Sequence, residues 1–442
     1  MEPTRVPAAA SSLGLPPEMI MRILDYTDDA TFCAARLAHS SFVMHDREAI
    51  HLTRRLPRWL RTDPHALCSV NHVEAILALV AAGVPLGREH MSTAIAHHAF
   101  GVVMALPASA CERGRIPLAA TDAAASIGDL DALGQLYDSH RAVWSASAMD
   151  LAAANGHLAA VKFLYERGIL GTTTAIDDAV LNGHADVVEF LLAHHHKPAA
   201  DPRPGGVIVP TPAQQAYGRQ GCTYDAMCNA ALNGRLDIVR MLDINGARCR
   251  KDAMDCAAAG GHLDIVIYLD ENRAEGCTVD AMDDAASRGH MDVVAYLDTH
   301  RREGCTTKAM DGAADAGHLD IVMYLHNNRR EGCTTWAMDG AAGEGHLDVV
   351  KFLHENRREG CTADAIDMAA AAGFMDVVVY LCEHVGADCT PRAMDRAAEA
   401  GHDAIVRYLY GRFGARCTPR AAIASQRHGH TDTALLLRGG RP

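Results

Sequence analysis

Aromatic side chains are scarce in this chain of 442 residues: eight Phe, eleven Tyr and three Trp make 5% of it, although 49% is hydrophobic. Small residues, alanine above all, carry the apolar mass, as suits helices that pack closely. Positive charge is also short, with 41 Lys and Arg against 55 Asp and Glu and a net charge of -14. Duplex nucleic acid is thereby disfavoured as the main ligand, because its affinity comes largely from Lys and Arg on phosphates. A basic or neutral protein partner fits better. The longest apolar runs, near Ile76 to Leu86 and Phe100 to Ala110, are too short to span a bilayer, so no membrane contact is expected. No signal peptide is expected either, since no basic region followed by an apolar stretch is visible near Met1. There is no phosphate loop, dinucleotide fingerprint, HExxH or nucleophile elbow, so neither an enzyme nor a cofactor is expected.

What the chain does have is a 28-residue copy of itself. Gly-Cys-Thr-x-x-Ala-Met-Asp-x-Ala-Ala-x-x-Gly-His-x-Asp-Ile/Val-Val-x-x-Leu returns with little change. Cys277, Cys305, Cys333, Cys361, Cys389 and Cys417 keep this step, and so do Gly289, Gly317, Gly345, Gly373, Gly401 and Gly429. Units that cannot bury their apolar face alone must stack, and such stacks usually serve as long binding surfaces. In the unit from Cys305, Thr306 or Thr307 can cap a first helix carrying Ala309, Met310, Ala313 and Ala314. Gly317 ends it with a left-handed turn. A second helix starts near His318, with Asp320 in its first turn and Ile321, Val322, Tyr324 and Leu325 as its apolar stripe.

Echoes at Asn71-His72 and His98 extend the pattern backwards, to an all-α solenoid of about twelve to thirteen units and an expected monomer. The reading divides the chain into a disordered tail at 1–12, a helical module at 13–48, a first repeat block at 65–193 and a regular block at 222–442. Between the blocks, 194–221 is rich in Pro and His and is expected to form an exposed loop.

The fourteen cysteines do not form a disulfide framework on this reading. Eight sit once per repeat from Cys222 to Cys417, stacked units lie roughly 10 Å apart, and a bridge needs Cα atoms within about 7 Å. Buried structural thiols and a reducing compartment follow, cytoplasm or nucleus. A Cys and a His in every unit suggest a metal, yet Cys305 and His318 supply two ligands where zinc needs three or four. Asp283, Asp311 and Asp339 belong to a ladder with Asp255, Asp367 and Asp395. It has two readings, bracing between helices or an acidic stripe that recognises a basic partner. Arg301-Arg302, Arg329-Arg330 and Arg357-Arg358 form a matching basic edge, expected to be a solvated charge row. Variable positions, among them Val279, Thr307, Thr335 and Ala363 at one site and Lys308 and Trp336 at another, are candidates for specificity. Trp336 is either a packing plug or an interface anchor.

Ala-Ala-x-x-Gly-His-Leu-Asp-Ile-Val-x-Tyr-Leu resembles the two-helix core of the ankyrin repeat, over roughly residues 65 to 440. The clearest match runs from Gly386 to His402. Fold and a protein-binding role on the concave side are what this resemblance implies. Two departures matter. The unit is about five residues shorter than the family's, with the loss between Leu325 and Thr334, where the family builds a β-hairpin. Asp311 also stands where the family's histidine braces neighbouring repeats.

The N-terminal stretch Leu15-Pro16-Pro17-Glu18-Met19-Ile20-Met21-Arg22-Ile23-Leu24, followed by Phe32, Leu37 and Phe42, is similar to an F-box. That resemblance implies that Leu15, Pro16, Glu18, Ile20, Ile23 and Leu24 dock a Skp-type adaptor of a cullin-RING ubiquitin ligase. A capping helix pair over the first repeat is the alternative. The pairing of the two segments is similar to protein sets of large DNA viruses and protists that redirect host ubiquitination, which would put the protein in host cytoplasm.

Overall fold

A computed structural model describes residues 55–194, 222–414 and 418–438. The F-box-like segment and the Pro/His-rich stretch from 195 lie outside the described residues. Among the described residues, thirteen helix pairs follow one another from Pro64–Ser69 with Val73–Ala81 to Pro419–Arg427 with Thr431–Leu437. Among the described residues there is no β-strand, only isolated bridges at Glu112 with Arg115 and Ile116 with Ala142. The fold is an all-α solenoid of repeated helix pairs. It falls into two compact units, one up to Ala175 and the other from Ile176.

One repeat shows why these residues make these elements. Thr306 caps the helix Thr307–Asp315 by accepting a hydrogen bond from the Lys308 N–H. Ala309, Met310, Ala313 and Ala314 of that helix are buried. The small alanine side chains let successive first helices pack directly on one another, and this is the most extensive packing among the described helices. The second helix, Leu319–Asn328, buries Ile321, Val322 and Leu325, while Tyr324 is half-buried.

Between the two helices Gly317 takes φ +78°, a left-handed conformation that costs a residue with a Cβ roughly 1–2 kcal/mol. The position does a second job, because the His346 ring of the next repeat lies 2.5 Å from where a Cβ would stand. Phe374 takes the equivalent seat over Gly345, so the shape of the ring matters there more than imidazole chemistry. At the two weak N-terminal echoes, Asn71 (φ 55°) and His98 (φ 54°) make the same left-handed turn without glycine. Asn and His are among the residues that tolerate it, which is why the repeat continues where its glycine signature stops.

The repeat cysteines lie at the start of each unit. Cys222, Cys277, Cys305, Cys333 and Cys389 are buried thiols, and Cys249 and Cys361 are half-buried. Burial pushes Cys277, Cys305 and Cys333 up to about 11.

Candidate protein-binding surface

The aspartate ladder runs between repeats. Asp311 Oδ1 accepts from the Thr334 N–H at 2.8 Å, and its Oδ2 accepts from Thr334 Oγ1 at 2.8 Å. Asp283 holds Thr306 in the same way at 2.8 and 2.6 Å, and Asp339 holds Thr362 at 2.8 and 2.8 Å. Asp150 with Thr172, Asp255 with Thr278 and Asp395 with Thr418 repeat the pair. The acidic stripe expected from Asp283, Asp311 and Asp339 is therefore not a surface. Their exposures are 4%, 8% and 3%, and both oxygens of each are taken by the next repeat. Burial pushes the carboxyls of Asp283 and Asp339 above the usual carboxylate range, against the hydrogen bonds from threonine.

The expected basic edge is also largely neutralised. Arg301 donates to Asp270 of the preceding repeat at 2.7 Å and to its own Glu303 at 2.6 Å. Arg273 joins Asp243 and Glu275, and Arg329 joins Asp298 and Glu331. A tyrosine completes each clamp: Tyr268, Tyr296 and Tyr324 donate their hydroxyls to Asp243, Asp270 and Asp298 at 2.8, 3.0 and 3.0 Å. Burial and the Asp270 carboxylate push Tyr296 up to about 12. Only the second arginines, Arg302, Arg330 and Arg358, are exposed. The clamp changes at His326, which takes the aspartate's place and meets the Phe352 ring edge-on at 5.5 Å. Sequence reasoning missed this clamp. Its signal was the recurrence of Tyr, Asp and Arg at about the repeat step, but the contacts join residues 25 to 31 apart.

A different row faces solvent. The third residue after each repeat cysteine is Asp225, Asp252, Asp280, Lys308, Trp336, Asp364, Arg392 and Arg420 in order, and all eight are exposed. The ladder fixes the positions of all of them except Asp252, which follows Arg250 where the others follow a threonine. The threonine gripped by the buried aspartate also accepts the backbone N–H of the row residue two places on: Thr306 from Lys308, Thr334 from Trp336, Thr362 from Asp364 and Thr390 from Arg392. Trp336, 50% exposed at the start of Trp336–Gly343, is thus an outward side chain on a braced helix end and not a packing plug. The row is acidic at its first three members, aromatic near its middle and basic at its last two. Chemistry varies along it while the frame beneath stays nearly constant. Leu15, Pro16, Glu18, Ile20, Ile23 and Leu24 lie outside the described residues.

Among the described residues no three His, Cys, Asp or Glu side chains converge as a metal site would need, and no helix is long and apolar enough to cross a membrane.

A family model described as ankyrin repeats in three copies matches residues 121–202. Ankyrin repeats are protein–protein interaction modules, and a helical array of them is typically a scaffold without catalysis. No curated protein matches the chain. Similar solved structures include the pentatricopeptide repeat protein PPR10 in complex with an 18-nt psaJ RNA element, and a triple cysteine-to-serine variant of that protein with the same RNA element. Each has 12% sequence identity and a TM-score of 0.39, covering 96% of this chain and 64% of that one. The chain spans less than two thirds of the length of those solved proteins.

Proposed function

We propose that a protein carrying these ankyrin repeats is a substrate receptor. On this reading the exposed row from Asp225 to Arg420 holds a target protein, and the segment Leu15 to Phe42 holds a Skp-type adaptor of a cullin-RING ubiquitin ligase. The row carries the first half of the proposal. Eight equivalent, exposed side chains whose charge changes along the row, seven of them on the braced frame, are what a specific extended interface needs, and an exposed Trp near its middle fits an anchor. A fitting target places basic groups opposite Asp225, Asp252 and Asp280, an apolar group over Trp336 and acidic groups opposite Arg392 and Arg420. The F-box-like residues Leu15, Pro16, Glu18, Ile20, Ile23 and Leu24 support the second half.

The test is affinity capture from a eukaryotic extract with the full chain, with Ile23→Asp/Leu24→Asp, and with Trp336→Ala. Adaptor and cullin should come down with the full chain and with Trp336→Ala but not with the double variant. Target proteins should come down with the double variant and be depleted with Trp336→Ala. Targets captured with no adaptor in any sample would leave an ankyrin-repeat scaffold or competitor without a ligase link.

A further inference from the structure

Four consecutive exit loops carry the same arginine, and one of the four lacks its partner in the repeat before. Arg273, Arg301 and Arg329 donate through Nη1 to Asp243, Asp270 and Asp298 of the preceding unit at 2.7, 2.7 and 2.9 Å. A tyrosine hydroxyl reaches the other oxygen of each carboxylate. At the next joint His326 and Phe352 stand where the aspartate and the tyrosine stand elsewhere, so the carboxylate and the hydroxyl that answers it are absent together. Arg357 remains. Its Nε and Nη2 donate to the two oxygens of Glu359, as those of Arg329 do to Glu331. The same two-pronged grip holds the guanidinium in the same way, but Arg357 Nη1 has no acceptor among the described residues. The His326 Nδ1 is buried without a partner, so the histidine does not close the clamp in the aspartate's stead. Arg329 and Arg330 are balanced by Glu331 and Asp298, whereas Arg357 and Arg358 have Glu359 alone.

We propose that Arg357 is a docking site for a carboxylate side chain from an acidic segment of a protein partner, seated at Nη1 as Asp298 is seated at Arg329. The inference extends the target-binding half of the proposed function to a second surface, the exit-loop edge. An open hollow of about 480 Å³ against Asn356, Arg357, Arg358 and Glu359 gives the carboxylate room. A similar hollow of about 450 Å³ lies at His300, Arg301, Arg302 and Glu303, but there the guanidinium is already held between Asp270 and Glu303. One free nitrogen beside a bound glutamate suits a single carboxylate oxygen. A phosphate dianion would want several donors and would face the Glu359 charge more strongly. Glu359 already fixes the guanidinium, so little side-chain entropy is lost when the carboxylate arrives. The exposed Arg330 and Arg358 add to the attraction and steer an acidic segment rather than an isolated acid to this loop.

Fluorescence anisotropy of the full chain with a dye-labelled peptide, Glu-Gly-Gly-Glu-Gly-Gly-Glu, at low ionic strength tests this. The parent should bind it, and the same peptide with glutamine for glutamate should bind roughly tenfold more weakly, the scale of one charge-assisted hydrogen bond. The decisive variant is His326→Asp/Phe352→Tyr, which supplies the aspartate and tyrosine of the other joints and keeps every arginine. It should melt no lower than the parent and bind the peptide roughly tenfold more weakly, because its own carboxylate takes Nη1. Asn327→Asp adds the same charge one residue away on an exposed side chain and should stay within about twofold of the parent. Arg357→Gln should lose binding like the double variant, and Trp336→Ala should keep it. No adaptor enters this measurement and Trp336 is not part of the site, so the inference and the receptor reading can fail separately. Three results would overturn the inference: a double variant that binds like the parent, Asn327→Asp as damaging as the double variant, or a phosphoserine version of the peptide that binds more tightly than the glutamate one.

Discussion

Replacing Asp311 by alanine tests whether the buried ladder, rather than an acidic surface, explains these aspartates. The change removes both acceptors of Thr334, at 2.8 Å each, and a hydrogen bond to a charged group contributes about 1.5–3 kcal/mol. Part of that sum is returned, because alanine no longer buries a carboxylate, so the net loss should be about 2–3 kcal/mol at this joint. Asp311→Asn keeps an acceptor for the Thr334 N–H and a donor for its hydroxyl oxygen, and should cost under about 1 kcal/mol. Because a linear array unravels locally, the assay is native-state hydrogen exchange over Trp336–Gly343, the helix that Thr334 starts. A loss of 2–3 kcal/mol corresponds to exchange faster by roughly 30- to 150-fold. The distant helix Pro419–Arg427 should be unaffected. Two results would refute the reasoning: an alanine variant that exchanges like the parent, or an asparagine variant as damaged as the alanine one.

Gly317→Ala should destabilise its repeat by about 2 kcal/mol or more, from left-handed strain and displacement of the His346 ring, measured as a lower midpoint in urea. Arg301→Ala strips the ion pair from Asp270, whose side chain is 16% exposed, and should cost about 2 kcal/mol. The exposed Arg302→Ala should stay within about 0.5 kcal/mol, and equal effects in thermal melts would refute the clamp. Asp122 is pushed up to about 6, by burial first and then by the Asp150 charge, with Ser145 opposing. The folded chain therefore binds a proton there that the unfolded chain has released between about pH 4 and 6, and stability falls as pH rises through that window. Asp122→Asn should raise the melting temperature at pH 7 and make no difference near pH 4; the opposite pH trend would sink this assignment.

Much of the fold was legible because its determinants are local. The 28-residue step placed Thr306 before a helix, Gly317 after it and His318 before the next, and each of these is a matter of a few consecutive residues. The repeat could be followed to Asn71 and His98 because a left-handed turn admits those residues as well as glycine. The destination of a polar side chain was not local. Nothing within one repeat says whether Asp311 faces solvent or its neighbour, since Thr334 arrives only when the next repeat stacks. The same holds for Arg301, which meets Asp270 from 31 residues away. The sequence alone determined the helices, their ends and their number, because period and capping act over a few residues. Stacking decided which charges are buried braces and which form the exposed row, because those contacts exist only between repeats.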